Sequence, residues 1–98
     1  MLFMLMATDA DNNSHEARIK ARPKHLARLQ ELQAQNRLVL AGPNPLPDDD
    51  SHFSGSLVVA DFNSLDEAQA WAEQDPYVDA GVYEEILIRP FKKVLPND

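Results

Sequence analysis

The stretch Gly55-Ser-Leu-Val-Val-Ala-Asp-Phe62, followed at once by Asn63-Ser-Leu-Asp-Glu67, decides the fold. Ser56, Val58, Ala60 and Phe62 alternate with Leu57, Val59 and Asp61, which is the period-two pattern of a strand over 55–62. Ser64 and Glu67 then stand at capping-box spacing, each able to satisfy an orphan backbone donor, so a helix starts there and runs to about Gln74. Its expected buried face is Leu65, Ala68, Trp71 and Ala72. Asp75-Pro76 ends it, because the residue before a proline is driven out of the helical region. Tyr77 to Gly81 reads as a turn or short helix, and Tyr83 to Arg89, with Ile86, Leu87 and Ile88, as a closing strand.

Upstream the pattern is similar. Met1 to Thr8 reads as a buried strand, and a polar connector, Asp9-Ala-Asp-Asn-Asn-Ser14, leads to a helix from His15 to Asn36. Pro23 either starts the tight part of that helix or kinks it. Asn36 can take the left-handed cap conformation that usually calls for glycine. Leu38-Val-Leu-Ala41 is a short strand. Gly42-Pro-Asn-Pro-Leu-Pro47 is expected to leave the sheet, with Asp48 to His52 as a polar loop. The order strand, helix, strand, strand, helix, strand is the α+β, ferredoxin-like βαββαβ arrangement: a four-stranded antiparallel sheet with two helices on one face.

Two helices cover one face only, yet strands one, three and four carry apolar residues on both, as in Leu2, Met4 and Met6 against Phe3, Leu5 and Ala7. A solvated second face would alternate apolar with polar. A homodimer with two sheets packed face to face is therefore expected. The 98 residues suffice for one domain, 1–98, and leave no room for an interdomain cleft.

Composition narrows the function. Nine Lys plus Arg against 16 Asp plus Glu give a formal charge of -7, which disfavours nucleic acid and anionic membranes as partners. The absence of cysteine removes disulfides and zinc-cysteine sites and is compatible with a reducing cytoplasm. The opening Met1-Leu-Phe-Met-Leu-Met6 run lacks a basic flank and reaches Thr8-Asp9 too soon for a signal peptide. No stretch approaches the roughly 20 apolar residues of a membrane span. A soluble, cytoplasmic product is expected.

Chemistry is concentrated on the first helix, where Arg18, Arg22, His25, Leu29 and Leu32 share one face at spacings of three and four. His25 falls where the apolar stripe meets its charged end. Spacing alone favours an ordinary histidine at the core edge over a functional one. Asp75 fits a stop residue, but a carboxylate at a helix C-terminus meets the negative end of the dipole and calls for a cation or donor. A histidine with a carboxylate partner makes a general base. Asp48, Asp49, Asp50 and His52 lack metal-loop spacing and read as a solvated acidic loop, so no obligatory metal and no cofactor is expected. His15 is expected to be exposed. Ser56 is expected to donate a hydrogen bond into a cavity rather than act as a nucleophile. No dinucleotide, P-loop or nucleophile-elbow glycine motif is present.

Arg22-Pro-Lys-His-Leu26, Leu40-Ala-Gly-Pro43, Gly55-Ser56, Asp75-Pro-Tyr-Val-Asp-Ala-Gly81 and Ile86-Leu-Ile-Arg-Pro-Phe91 together resemble the YciI-like family over nearly the whole chain. The resemblance implies a dimeric α+β barrel. It also implies an active-site dyad of His25 and Asp75, with Gly42, Pro43, Ser56 and Tyr77 lining the same cavity. Within that family a chlorinated hydroxyhydroquinone dehydrochlorinase uses such a dyad, and the wider superfamily includes muconolactone isomerase. Asn36 stands where relatives commonly have glycine, a departure confined to a helix cap.

Two functions follow from different classes. One is a lyase- or isomerase-type enzyme in which His25, oriented by Asp75, moves a proton on a small anionic metabolite held by Arg22. The other is a non-catalytic ligand-binding or sensing module on the same scaffold, since fold alone does not assign function.

Overall fold

A computed structural model describes residues 1–10 and 14–97. It contains β1 (Leu2–Asp9), α1 (Ser14–Ala34), β2 (Leu38–Leu46), β3 (Asp49–Asp61), α2 (Leu65–Glu73), α3 (Pro76–Asp79) and β4 (Tyr83–Phe91). The strands form one antiparallel sheet in the order β2-β3-β1-β4, which is the ferredoxin-like topology. Of the expected polar connector, Asp11-Asn-Asn13 lie outside the described residues, Asp9 closes β1 and Ser14 opens α1.

The register sets Leu5 between Val58 and Ile88 and Phe3 beside Ala60. These side chains meet Leu29 and Leu32 of α1 and Ala68 and Ala72 of α2 in one cluster that also holds Phe62. Burying each leucine contributes about 2 kcal/mol. Ser64 caps α2 as expected, its Oγ accepting the Glu67 N–H at 3.1 Å. Glu67 reaches back one residue further than the capping box requires and accepts from Asn63 N–H at 3.3 Å. Asn36 adopts φ 58°. Its N–H bonds the Gln33 carbonyl and Arg37 N–H bonds that of Leu32, both at 3.0 Å, so α1 ends in a Schellman motif without glycine.

Several boundaries differ from the sequence expectation. Strand β2 does not stop at Ala41 but continues through Pro43 and Pro45, and the supposed polar loop from Asp49 onward is the start of β3. A proline is excluded only where its missing N–H is needed, and β2 is an edge strand whose register shifts at Pro45. Strand β4, the other edge, likewise runs past Arg89 through Pro90 to Phe91. Pro23 lies inside α1, so it does not start the helix. Leu65 is 43% exposed rather than buried, since α2 lies over β4, beyond which no further strand extends the sheet.

On the far side of the sheet Met6 pairs with Leu57 and Leu87. Met6, Leu40 and Leu87 remain 45%, 48% and 42% exposed there.

Candidate functional site

The helical spacing of α1 resolves into burial of Arg18, His25, Leu29 and Leu32, while Arg22 stays exposed. Between this face and strands β2 and β3 lies a cavity of about 270 Å³. Arg22, His25, Gly42, Pro43, Ser56 and Tyr77 all line it. Asp75 does not reach the cavity; it is buried against His25.

Nδ1 of His25 stands 2.9 Å from both Oδ1 and Oδ2 of Asp75. An ionised carboxylate only accepts, so Nδ1 carries the proton. Nε2 is thereby left as the nitrogen able to take another. The His25 ring stacks on Tyr77 with centroids 3.9 Å apart and planes 12° from parallel.

Asp75 sits in a different setting from the one its sequence position suggests. It follows the C-cap of α2 but is itself the N-cap of α3, and its Oδ1 accepts the Tyr77 N–H at 2.9 Å. Pro76 occupies the first turn, where its missing N–H is no loss. The carboxylate therefore meets the positive end of a new helical turn as well as the negative end of the old one. Arg28 adds a cation: its Nη1 is 3.9 Å from Asp75 Oδ2, its Nη2 donates to the Trp71 carbonyl at 2.7 Å, and its guanidinium lies 4.3 Å from the Trp71 ring centroid. Burial pulls the Arg28 pKa below its ordinary value, with the charges of Asp75 and Glu31 opposing.

Beside the dyad is a second polar group, in which Arg18 of the helix stripe finds a partner that spacing did not single out. Arg18 donates from Nε to Asp9 Oδ2 at 2.6 Å and from Nη2 to Asp9 Oδ1 at 2.8 Å, a two-pronged ion pair. Nη2 also reaches the Gly55 carbonyl at 2.8 Å and Ser56 Oγ at 3.0 Å. Ser56 lines the cavity as expected of its position, and its Oγ accepts from Arg18, which leaves the hydroxyl proton free to be donated. The rings of Tyr77, Phe53 and Tyr83 surround the guanidinium at 5.0, 5.4 and 5.9 Å. Burial alone would lower the Arg18 pKa, but the hydrogen bonds and charge of Asp9 reverse that and raise it. Gly55 is required here, since a Cβ would stand 2.2 Å from the Ala7 carbonyl oxygen. Burial pushes the Tyr83 phenol well above its ordinary value, with Ser56 beside it offsetting part of the effect. Burial also raises the Tyr77 phenol, against the opposing charges of Arg18 and Arg22.

Asp9, Arg18, Arg28 and Tyr83 are thus site residues beyond the expected set. A signal existed for the first pair: Asp9 is in phase with Phe3 and Leu5 on the inner face of β1, and an inward carboxylate demands a cation from the helix above. The acidic arm is separate. There Asp49 accepts from Ser51 Oγ at 2.6 Å and contacts His52 Nδ1 at 2.7 Å, and the Ser51 hydrogen bonds hold its carboxyl below the usual range. His15 is half-buried rather than exposed, stacked on His52 with centroids 4.1 Å apart. Among the described residues no three His, Asp or Glu side chains gather where they could hold a metal ion, and no helix is long and apolar enough to cross a membrane.

The chain is 51% identical over 98 residues to Protein YciI of Escherichia coli O6:H1, covering 96% of this chain and 99% of that one. The solved 5-chloro-2-hydroxyhydroquinone dehydrochlorinase from Burkholderia phenoliruptrix AC1100, in complex with 2,5-dihydroxybenzoquinone, is 29% identical with a TM-score of 0.81 over 94% of each chain. A dimeric protein of unknown function and ferredoxin-like fold from Bacteroides fragilis shares the fold at 16% identity and a TM-score of 0.51, over 92% of this chain and 94% of that one. The model of the YCII-related domain matches residues 1–92, and the chain belongs to that family.

Proposed function

We propose that the protein is a small-metabolite enzyme of lyase or isomerase type, in which His25 takes and returns a proton and Asp75 holds the imidazole in the required tautomer. The observation that carries this reading is the buried His25–Asp75 contact at 2.9 Å on the wall of a cavity of about 270 Å³. The carboxylate would stabilise the imidazolium formed on proton abstraction. Arg22, exposed on the lining, would receive an anionic group, since Arg18 is already committed to Asp9. Gly42, Pro43, Ser56 and Tyr77 would shape the remainder. The structural relative that is a dehydrochlorinase supports small-molecule chemistry on this scaffold.

Mass-spectrometric identification of metabolites retained by the protein, followed by turnover assays on the retained molecule, tests the assignment. His25→Ala should lower turnover on the order of 10² to 10⁴-fold, the usual worth of a placed general base. Unchanged turnover, or binding of the molecule with no conversion, refutes it; the second result would make the cavity a binding module.

The same reading includes a homodimer closed through the far face of the sheet, where Met6, Leu40 and Leu87 are exposed, in a cytoplasmic setting with which a cysteine-free chain is compatible. Sedimentation velocity at micromolar concentration should give a dimer that Leu87→Lys dissociates. A monomer in the unmodified protein would overturn the association.

A further inference from the structure

We propose that Arg28 is a positioning residue of the His25–Asp75 pair, sharing the Asp75 carboxylate with the imidazole and so setting how firmly His25 is held. The inference rests on the dyad reading above. A simpler role for Arg28 is visible: Nη2 caps the Trp71 carbonyl near the C-terminus of α2, where a cation is favourable, and the guanidinium face covers the Trp71 ring. That role leaves Nη1 unexplained. Nη1 is buried without a hydrogen-bond partner, at ion-pair but not hydrogen-bond distance, 3.9 Å, from Asp75 Oδ2. A buried donor left unpaired is costly, and what it does here is place positive charge next to one oxygen of the Asp75 carboxylate.

Asp75 then answers to three groups: the His25 Nδ1–H, the Tyr77 N–H and the Arg28 charge. Without Arg28, more of the carboxylate's negative charge would fall on the imidazole, which would bind a second proton more tightly and return it less readily. With Arg28 in place, the pair is suited to hand the proton back to the reacting molecule. The downward pull of burial on the Arg28 pKa agrees with a charge kept there at some cost.

The test reads the proton NMR resonance of the His25 Nδ1–H, which moves downfield as its carboxylate acceptor strengthens. Arg28→Gln keeps an amide donor for the Trp71 carbonyl but removes the charge, and should move that resonance downfield; Arg28→Lys, which restores the charge, should bring it back toward the unmodified protein. If Arg28→Gln does not fold, Arg28→Met retains the packing on Trp71 and should give the same downfield shift. A resonance unmoved or shifted upfield by the neutral variants overturns the proposal and leaves Arg28 as a helix cap. Asp75→Asn separates the two levels: it should abolish the downfield resonance. If it does so while the Arg28 variants have no effect, the dyad stands and the Arg28 proposal alone fails. A resonance indifferent to Asp75→Asn removes the dyad and this inference with it.

Discussion

Leu29 and Leu32 of α1 join an apolar cluster with Phe3, Leu5, Val58, Ala60 and Phe62, whereas Arg18 and His25 of the same helix face meet Asp9, Ser56, Tyr77 and Asp75. The two ends of one helix–sheet interface are thus built by different physics. At the apolar end, contacts are many, weak and non-directional, and removing one leaves the rest in place. At the polar end Asp9, Arg18, His25 and Asp75 each depend on a named partner, so removing one strands another. The consequence is a division of labour: the apolar end supplies stability, and the polar end holds a histidine, a carboxylate and two tyrosines in fixed orientation beside a cavity.

The largest expected effect comes from breaking the polar end. Asp9 and Arg18 side chains are 3% and 7% exposed, so solvent cannot replace a lost partner. Asp9→Ala should destabilise the protein by about 3–5 kcal/mol in urea denaturation, the cost of leaving a buried charge uncompensated. Asp9→Leu with Arg18→Met should recover most of that loss, since an apolar pair of similar size avoids the desolvation of both ions. At the apolar end, Leu32→Ala should cost about 3 kcal/mol by transfer and cavity terms. Leu32 does not line the cavity, so ligand binding should be unchanged in that variant once folded. An Asp9→Ala cost below that of Leu32→Ala, or loss of ligand binding in Leu32→Ala, would erase the distinction between the two ends.

The two ends also differ in how far they could be read from the chain. The apolar end follows from periodicity: Leu29 and Leu32 on the helix, Val58, Ala60 and Phe62 on the strand, with Ser64 and Asn36 marking helix ends by local chemistry. The helix stripe further placed His25 on the inward face. What periodicity does not contain is pairing across the fold. Arg28 meets Asp75, and Tyr83 meets the Arg18 guanidinium, only because α3 returns against α1 and β4 sets Tyr83 beside Asp9. Asp75 follows the end of α2, as its proline neighbour implies, but its role as the N-cap of α3 is hidden for a related reason: that role depends on whether the next four residues form a turn of helix, and Pro76 to Asp79 do. Strand β2 outruns the expectation from its prolines because it lies at the sheet edge, and the sequence does not say which side of a strand faces a neighbour.

The smallest effect, and the sharpest probe of the polar end, is spectroscopic. The chain has two tyrosines, Tyr77 and Tyr83, and both belong to this end. Burial raises both phenols, Tyr83 more strongly. A group whose pKa is raised on folding contributes stability that is complete below its unfolded value, about 10 for tyrosine, and is lost as pH climbs above it toward the folded value. The absorbance of phenolate should therefore lag behind that of free tyrosine as pH rises. It should then rise together with the loss of far-ultraviolet ellipticity, because unfolding exposes both rings at once. Leu32→Ala, which weakens only the apolar end, should bring this joint transition to lower pH without separating the two signals. A phenolate step near pH 10 in a chain that is still folded would mean that water reaches the tyrosines. The polar end would then be an open surface rather than a buried, partner-dependent site.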